Sequence, residues 1–321
     1  MKLLLKKIEI VLFIFFILNL QVLFSEAGNT IDLKITKNNK ILTTKFTPEI
    51  KLKTDYPWNF YLSFVENFYF YKNTDLKNTH RILNVFLGTE LTAGTAETKL
   101  GMYIFPLCCM DFFTELNLAS GWSFPKFEFY GIAENKNNQG MQKIIPYNFS
   151  KLFISFTAGF NLYFKLSAVL KNKWADFKIG TGQFINYRAL LPLDKNSFWF
   201  YKNDTGINRN GSVYKASYFI EYGMPLYLNN IRFEVNTQKR LYKPLPESSN
   251  LGELLWDTET GCILTFKLYE HIHIGLETYW STDYVYVYSL DKMFFTEKIL
   301  HSSKPQAFYF KRISVSLTFK I

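Results

Sequence analysis

From Arg312 to Ile321 the chain alternates without a break. Ile313, Val315, Leu317, Phe319 and Ile321 share one face, and Arg312, Ser314, Ser316, Thr318 and Lys320 share the other. Successive side chains of a strand point to opposite faces, so this pattern predicts a strand with one apolar wall and one polar wall. The pattern returns over 152–170, where Leu152, Ile154, Phe156, Phe160, Leu162 and Phe164 oppose Ser155, Thr157, Asn161 and Lys165. It returns again where Ile231, Phe233 and Val235 oppose Arg232, Glu234 and Asn236.

Read along the chain, the alternation predicts strands at 152–170, 174–187, 212–223, 229–242, 256–269, 272–289 and 307–321. Short turns fall at Lys171–Lys173, Met224–Leu226 and Glu270–His271. Longer polar connections fall at 134–142, 188–211, 243–255 and 291–306. Membrane barrels alternate short turns on one side with longer loops on the other, whereas a sandwich has no reason to sort its loops by parity. The fold class expected is therefore all-β, an antiparallel transmembrane β-barrel of about 12 strands (range 10–14). The alternative fold is a soluble secreted β-sandwich.

The N-terminal third is less regular. Strands are expected near 44–54, 57–71, 81–92, 97–105 and 112–131, but Asp55-Tyr56 is too short a connection to extend the loop rule. Glu66 falls on the otherwise apolar face of Trp58, Phe60, Leu62, Phe64 and Phe68, which calls for a bulge or a strand end there. Residues 28–43 are assigned to a plug or periplasmic segment, with 30–37 also able to form half of an additional hairpin.

The first residues change the compartment. Lys2, Lys6 and Lys7 precede an apolar run from Ile10 to Phe24, and Ser25-Glu26-Ala27 supplies small residues at a cleavage site. Residues 1–27 thus read as a cleavable signal peptide, with an uncleaved anchor as the rival, leaving 28–321 as a single barrel domain. The net charge of +10 is spread along the chain rather than clustered, and an export signal argues against a nucleic-acid partner. Aromatics make up 19% of the residues, with 33 Phe and 21 Tyr, which fits a lipid-facing band bordered by aromatic girdles.

On its signal peptide, strand and loop rhythm and amphipathic final strand, the chain resembles outer-membrane β-barrel proteins, in particular poorly characterised barrels of spirochaetes. The resemblance covers residues 1–27 and about 150–321 and carries no family-specific motif. It implies residence in a bacterial outer membrane, contact with its lipid, and insertion by the barrel assembly machinery through residues 312–321. Barrels of this kind typically end in an aromatic residue, and here the end is Phe319-Lys320-Ile321.

Chemistry is sparse. There is no phosphate loop, dinucleotide fingerprint, G-x-S-x-G or paired CxxC, so neither an enzyme nor a cofactor is expected; an outer-membrane protease or lipase is the enzymatic alternative. His271, His273 and Glu277 share a face at a spacing that suits a metal, but as polar residues just after a turn they are read as lumenal, and no metal site is assigned. Cys108 and Cys109 are adjacent, which leaves at most one long-range bridge to Cys262; free thiols are the expected state.

Charges on the predicted wet faces define candidate lumen-lining residues: Lys165, Lys178, Lys215, Arg232, Glu234, Lys267, Glu277 and Arg312. Phe198, Trp199, Phe200 and Tyr201 are candidate extracellular-loop contacts, or else a girdle or a loop packed into the barrel mouth. The function expected is a small, weakly selective pore for solutes or ions if the lumen is open. The alternative is a structural or adhesion barrel with a closed lumen.

Overall fold

The protein is described by a computed structural model over residues 34–37, 40–56, 59–75, 78–92, 94–124, 129–130, 132–138, 141–146, 148–170, 172, 174–193, 198–202, 208–242, 256–284, 286–288, 298–300 and 306–320. The expected signal peptide, Trp58 and Ile321 lie outside the described residues, as do all side chains of the 28–43 segment.

Twelve antiparallel strands form one sheet. They are β1 (Lys40–Tyr56), β2 (Asn59–Asp75), β3 (Asn78–Thr92), β4 (Thr95–Leu107), β5 (Met110–Gly121) and β6 (Leu152–Lys165). The second half adds β7 (Asp176–Leu191), β8 (Gly211–Gly223), β9 (Leu228–Arg240), β10 (Asp257–Tyr269), β11 (Ile272–Tyr284) and β12 (Gln306–Lys320). Each strand pairs with the next in chain order, and β12 returns to β1, from Glu49 opposite Lys320 to Tyr56 opposite Ile313. Closure removes the free edges that a sandwich would keep, so the sandwich alternative is excluded.

The wall is apolar outside and polar inside. Leu87 faces Leu100, and Leu100 faces Leu116, giving a lipid-side row across β3, β4 and β5; Leu100 is 50% exposed. Asn84, Asn117, Asn186, Ser314 and Ser316 are buried instead. Exposed Tyr187, Trp256, Trp280, Phe308 and Phe310 lie toward the long-loop end, and exposed Phe164, Trp174, Tyr227 and Tyr269 toward the short-turn end. An apolar belt between two aromatic girdles is stable against hydrocarbon and would be a liability in water. The strands therefore span a membrane.

Long connections 122–151, 192–210, 241–256 and 285–305 leave one end, and short ones 76–77, 108–109, 166–175, 224–227 and 270–271 leave the other. The rule fails at 57–58 and 93–94, connections of two residues at the long-loop end. At the second of these the Thr92 hydroxyl accepts the N–H groups of Gly94 and Thr95, so the chain reverses at once.

Several strand limits differ from the sequence expectation. Alternation runs on through Leu166, Ala168 and Leu170, but β7 starts only at Asp176 and offers no partner there, so β6 stops at Lys165 in a 3-10 turn over Leu166–Ala168. The expected 112–131 strand ends at Gly121, and Ser123–Phe124 pair with Phe129–Tyr130. The polar stretch 134–142 lies within a hairpin, Ile132–Asn138 against Met141–Pro146, rather than an open loop. The 272–289 strand ends at Tyr284, and Tyr286–Tyr288 pair with Lys298–Leu300. Lys34–Lys37 fold back onto residues 40–43 as half of an additional hairpin. Glu66 faces outward in the middle of β2, paired with Pro48 on one side and Leu87 on the other, with neither a bulge nor a strand end there, so the expected explanation for this carboxylate is not found.

Candidate lumenal site

Charges on the inner wall are largely paired. Lys99 reaches Glu90 at 3.1 Å and Glu97 at 3.7 Å. Across the barrel, Arg232 donates to Glu234 at 2.9 Å and to Glu221 at 3.3 Å, and the Tyr279 hydroxyl donates to Glu234. Lys53 binds Glu277 at 2.6 Å with Lys51 nearby, and Lys311 and Arg312 share Glu259. Arg240 pairs with Asp257. Such pairing is the way a narrow polar interior keeps charge at low cost.

The loops 122–151 and 192–210 meet above β5 and β6. Phe198–Tyr201 pair with Ile132–Asn138, adding a third strand to the loop hairpin. Trp199 and Phe200 are 0% exposed, and Trp199 packs with Ala119, Ile132, Phe153 and Leu190. The Tyr201 ring stacks on Phe153 at 3.8 Å. Asn208 donates to the Trp199 carbonyl, while Asn210 accepts from the Trp199 indole and the Leu190 N–H. Trp199 and Phe200 thus form the packed seat of the mouth and offer no outer contact surface; the Phe198 side chain lies outside the described residues.

Beyond that seat the chain turns inward. Lys202 has φ 58°, a left-handed conformation that costs a non-glycine residue on the order of 1 kcal/mol. Its ammonium enters the lumen and binds Glu97 at 2.5 Å and Glu90 at 2.7 Å. Burial pushes the Lys202 pKa down, but Glu97 and Glu90 outweigh it and hold the group above the usual lysine range.

Two chambers adjoin inside the barrel. The upper, of about 340 Å³, is bordered by Lys215, Asp257, Glu259 and Lys311 toward the long-loop end. The lower, of about 400 Å³, is bordered by Asp111, Asn161, Lys178 and Arg232 toward the short-turn end. Phe184 and Ser217 border both. Phe184 stands directly opposite Gly159, where a β-carbon would lie 2.5 Å from its ring, and meets Phe113 edge-on at 6.0 Å. Phe219 covers Gly180 in the same register relation, as Phe86 does Gly101 and Tyr279 does Gly261. Glycine lets an inward aromatic ring lie flat on the neighbouring strand.

The predicted lumen residues divide into groups. Arg232, Glu234, Glu277 and Arg312 are committed to ion pairs, Arg312 also lying 4.2 Å from the Tyr279 ring. Lys165 pairs with Asp176 at 3.1 Å at the half-exposed rim. Lys267 faces His273 in register and borders neither chamber. Lys178 and Lys215 border a chamber each, and among the described residues no carboxylate lies within ion-pair distance of either. Sequence reasoning missed Lys202, Glu97, Lys53, Phe184, Asn208 and Asn210. Aromatic residues placed opposite glycines were a usable signal for Phe184; nothing periodic marks Lys202.

The expected alternative of a metal at His271, His273 and Glu277 finds the carboxylate of Glu277 already taken by Lys53. Cys108, Cys109 and Cys262 are free thiols, the first two in the turn that joins β4 to β5 and the third in β10.

No family model and no curated protein sequence matches the chain. Solved structures similar in chain path include the translocator domain of the autotransporter NalP from Neisseria meningitidis. It is 5% identical, with 92% of this chain and 89% of that chain covered, at a TM-score of 0.37. The NanC porin is 8% identical, with 85% of this chain and all of that chain covered (100%), at a TM-score of 0.40. The β domain of the Bordetella autotransporter BrkA is 6% identical, covering 87% and 98%, at 0.35. These are likenesses of β-barrel architecture, and the fold itself rests on the closed register described above.

Proposed function

We propose that the protein is an outer-membrane channel of narrow bore for small solutes. The observation that carries this reading is the pair of adjoining chambers within a polar lumen, divided at Phe184. A barrel of twelve strands is wider than an eight-stranded one, whose side chains fill the interior, and narrower than a sixteen-stranded porin. Export by residues 1–27, contact with outer-membrane lipid, and insertion by the assembly machinery through 312–321 belong to the same proposal. The amphipathic register of β12 at its seam with β1 supports the last.

The second reading, a surface barrel with a closed lumen, is favoured by one observation: Lys202 and its loop occupy part of the mouth. Efflux from loaded proteoliposomes separates the two. Release of small sugars and salts with retention of a large dextran supports the channel. Retention of all of them by a heat-modifiable, correctly folded protein rejects it.

A further inference from the structure

We infer that Phe184 is the stacking platform of a binding site for an uncharged pyranose sugar, which lies across the open face of the ring with its hydroxyls against the polar groups of the adjoining chambers. This rests on the channel reading, which supplies the route by which such a solute arrives.

The rings of the inner wall set the shape. Four of them are seated on a glycine of the neighbouring strand: Phe86 on Gly101, Phe184 on Gly159, Phe219 on Gly180 and Tyr279 on Gly261. Three of the four are engaged. The Arg232 guanidinium lies 4.2 Å from the centre of Phe219, that of Arg312 lies 4.2 Å from the centre of Tyr279, and Phe113 stacks on Phe86 at 6.4 Å. Phe184 differs. Among the described residues its one ring neighbour is Phe113, edge-on at 6.0 Å, and no cation lies over it. Backbone covers one face of Phe184, and the other is left to a lumen lined by polar groups. Such a face favours a solute with an apolar face and a polar edge. A pyranose has that pattern, with C–H groups over the ring and hydroxyls around it.

The charges give the solute no sign. Beside the lower chamber Asp111, Glu221 and Glu234 stand with Lys178 and Arg232, and Glu221 both faces Lys178 in register and accepts from Arg232. Beside the upper chamber Arg240 answers Asp257, and Lys311 and Arg312 answer Glu259. A solute charged in either sense meets its like as well as its opposite, so its desolvation is offset only in part. Hydroxyls use both signs, donating to carboxylates and accepting from ammonium, guanidinium and amide N–H groups. Planar amides stand on both sides of the ring, Asn236 and Gln238 above and Asn161 below, and Ser217 borders both chambers. At about 30 Å³ per heavy atom, a figure scaled from the volume of water, each chamber holds roughly a dozen heavy atoms, the size of one hexose.

The test is saturation-transfer NMR of the full protein, purified in a detergent without a sugar headgroup and titrated with glucose. Sorbitol serves as the open-chain control, and glucosamine and glucuronate as the same ring carrying a positive or a negative charge. Glucose should bind at least about tenfold tighter than sorbitol and no more weakly than either charged ring. Phe184→Leu, which keeps apolar bulk and removes the flat face, should weaken glucose on the order of tenfold, while Phe184→Trp should retain it. Lys267→Met, at a residue that borders neither chamber, should leave binding unchanged. Ser217→Ala should weaken glucose roughly threefold, which keeps the test valid if Phe184→Leu does not fold. Equal affinity for glucose and sorbitol, tighter binding of glucosamine or glucuronate than of glucose, or full glucose affinity in a folded Phe184→Leu protein overturns the site. Glucose binding without proteoliposome efflux overturns the channel and leaves the site standing; efflux without binding does the reverse.

Discussion

Phe184 and Gly159 face each other across β6 and β7, and the ring lies over the glycine where a β-carbon would come within 2.5 Å of it. This pair fixes where the lumen narrows, because Phe184 borders the chamber above and the chamber below.

Phe184→Ala should join the two chambers and raise solute flux in the efflux assay. The stability loss should be roughly 2 kcal/mol, less than the ~3–5 kcal/mol of a fully buried phenylalanine, because one face of this ring meets open lumen. Gly159→Ala should cost at least about 1–3 kcal/mol by overpacking, because its β-carbon would meet the Gln183 carbonyl oxygen as well as the ring and the backbone must shift. Unchanged flux in a folded Phe184→Ala protein would remove Phe184 as the constriction.

Lys202→Met should release the loop that enters the mouth. Glu97 would lose its closest cation while remaining in a side-chain environment only 1% exposed, at a cost of about 1–3 kcal/mol. The expected readout is faster proteolysis within 192–210 and higher flux. The pH dependence follows from the raised Lys202 pKa. Its stabilising contribution is fully present below the ordinary lysine pKa and is lost as pH rises through the higher value in the folded state. Protection of the loop should therefore persist through neutral and mildly alkaline pH. Loss of protection near pH 8 would contradict the latch.

Much of the barrel is legible in the sequence, because lipid on one side of the wall and a polar lumen on the other impose a period of two on each strand. Strands near 212–223 and 256–269 are found within a residue or two. Strand ends are harder: Leu166, Ala168 and Leu170 keep the rhythm, yet pairing stops at Lys165 because no partner continues. The wet faces identify Arg232, Glu277 and Lys178 as inward, but alternation carries no information about which charges meet. Lys53 joins Glu277 only through closure of β12 on β1, a contact between residues far apart in the chain. Lys202 is set by a loop that packs through Trp199 and Asn210, where periodicity has nothing to say.

Leu100→Arg should impair membrane insertion. Leu100 sits near mid-strand on the outer row with Leu87 and Leu116, where arginine costs roughly 2–4 kcal/mol. Ser217→Arg, on the inner face, should assemble and obstruct flux instead. Heat-modifiable gel mobility reads both outcomes, and equal damage to assembly would place β4 or β8 in the wrong orientation.

A protease tag inserted at Pro246, in the long connection from β9 to β10, should be cleaved on intact cells. One at Asn172, in the short connection between β6 and β7, should be cleaved only after the outer membrane is opened. Cleavage of both on intact cells would reject the assigned orientation.

The central claim is a narrow water-filled lumen in which the lysines at 178 and 215 border the two chambers with no carboxylate within ion-pair distance among the described residues. It is tested most directly by the reversal potential of the purified protein in a planar bilayer under a potassium chloride gradient. The account predicts stepwise conductance, and a shift of the reversal potential toward the cation when Lys178 and Lys215 are both replaced by glutamate. A folded barrel that passes no current, or a reversal potential that the two substitutions leave unmoved, would contradict it.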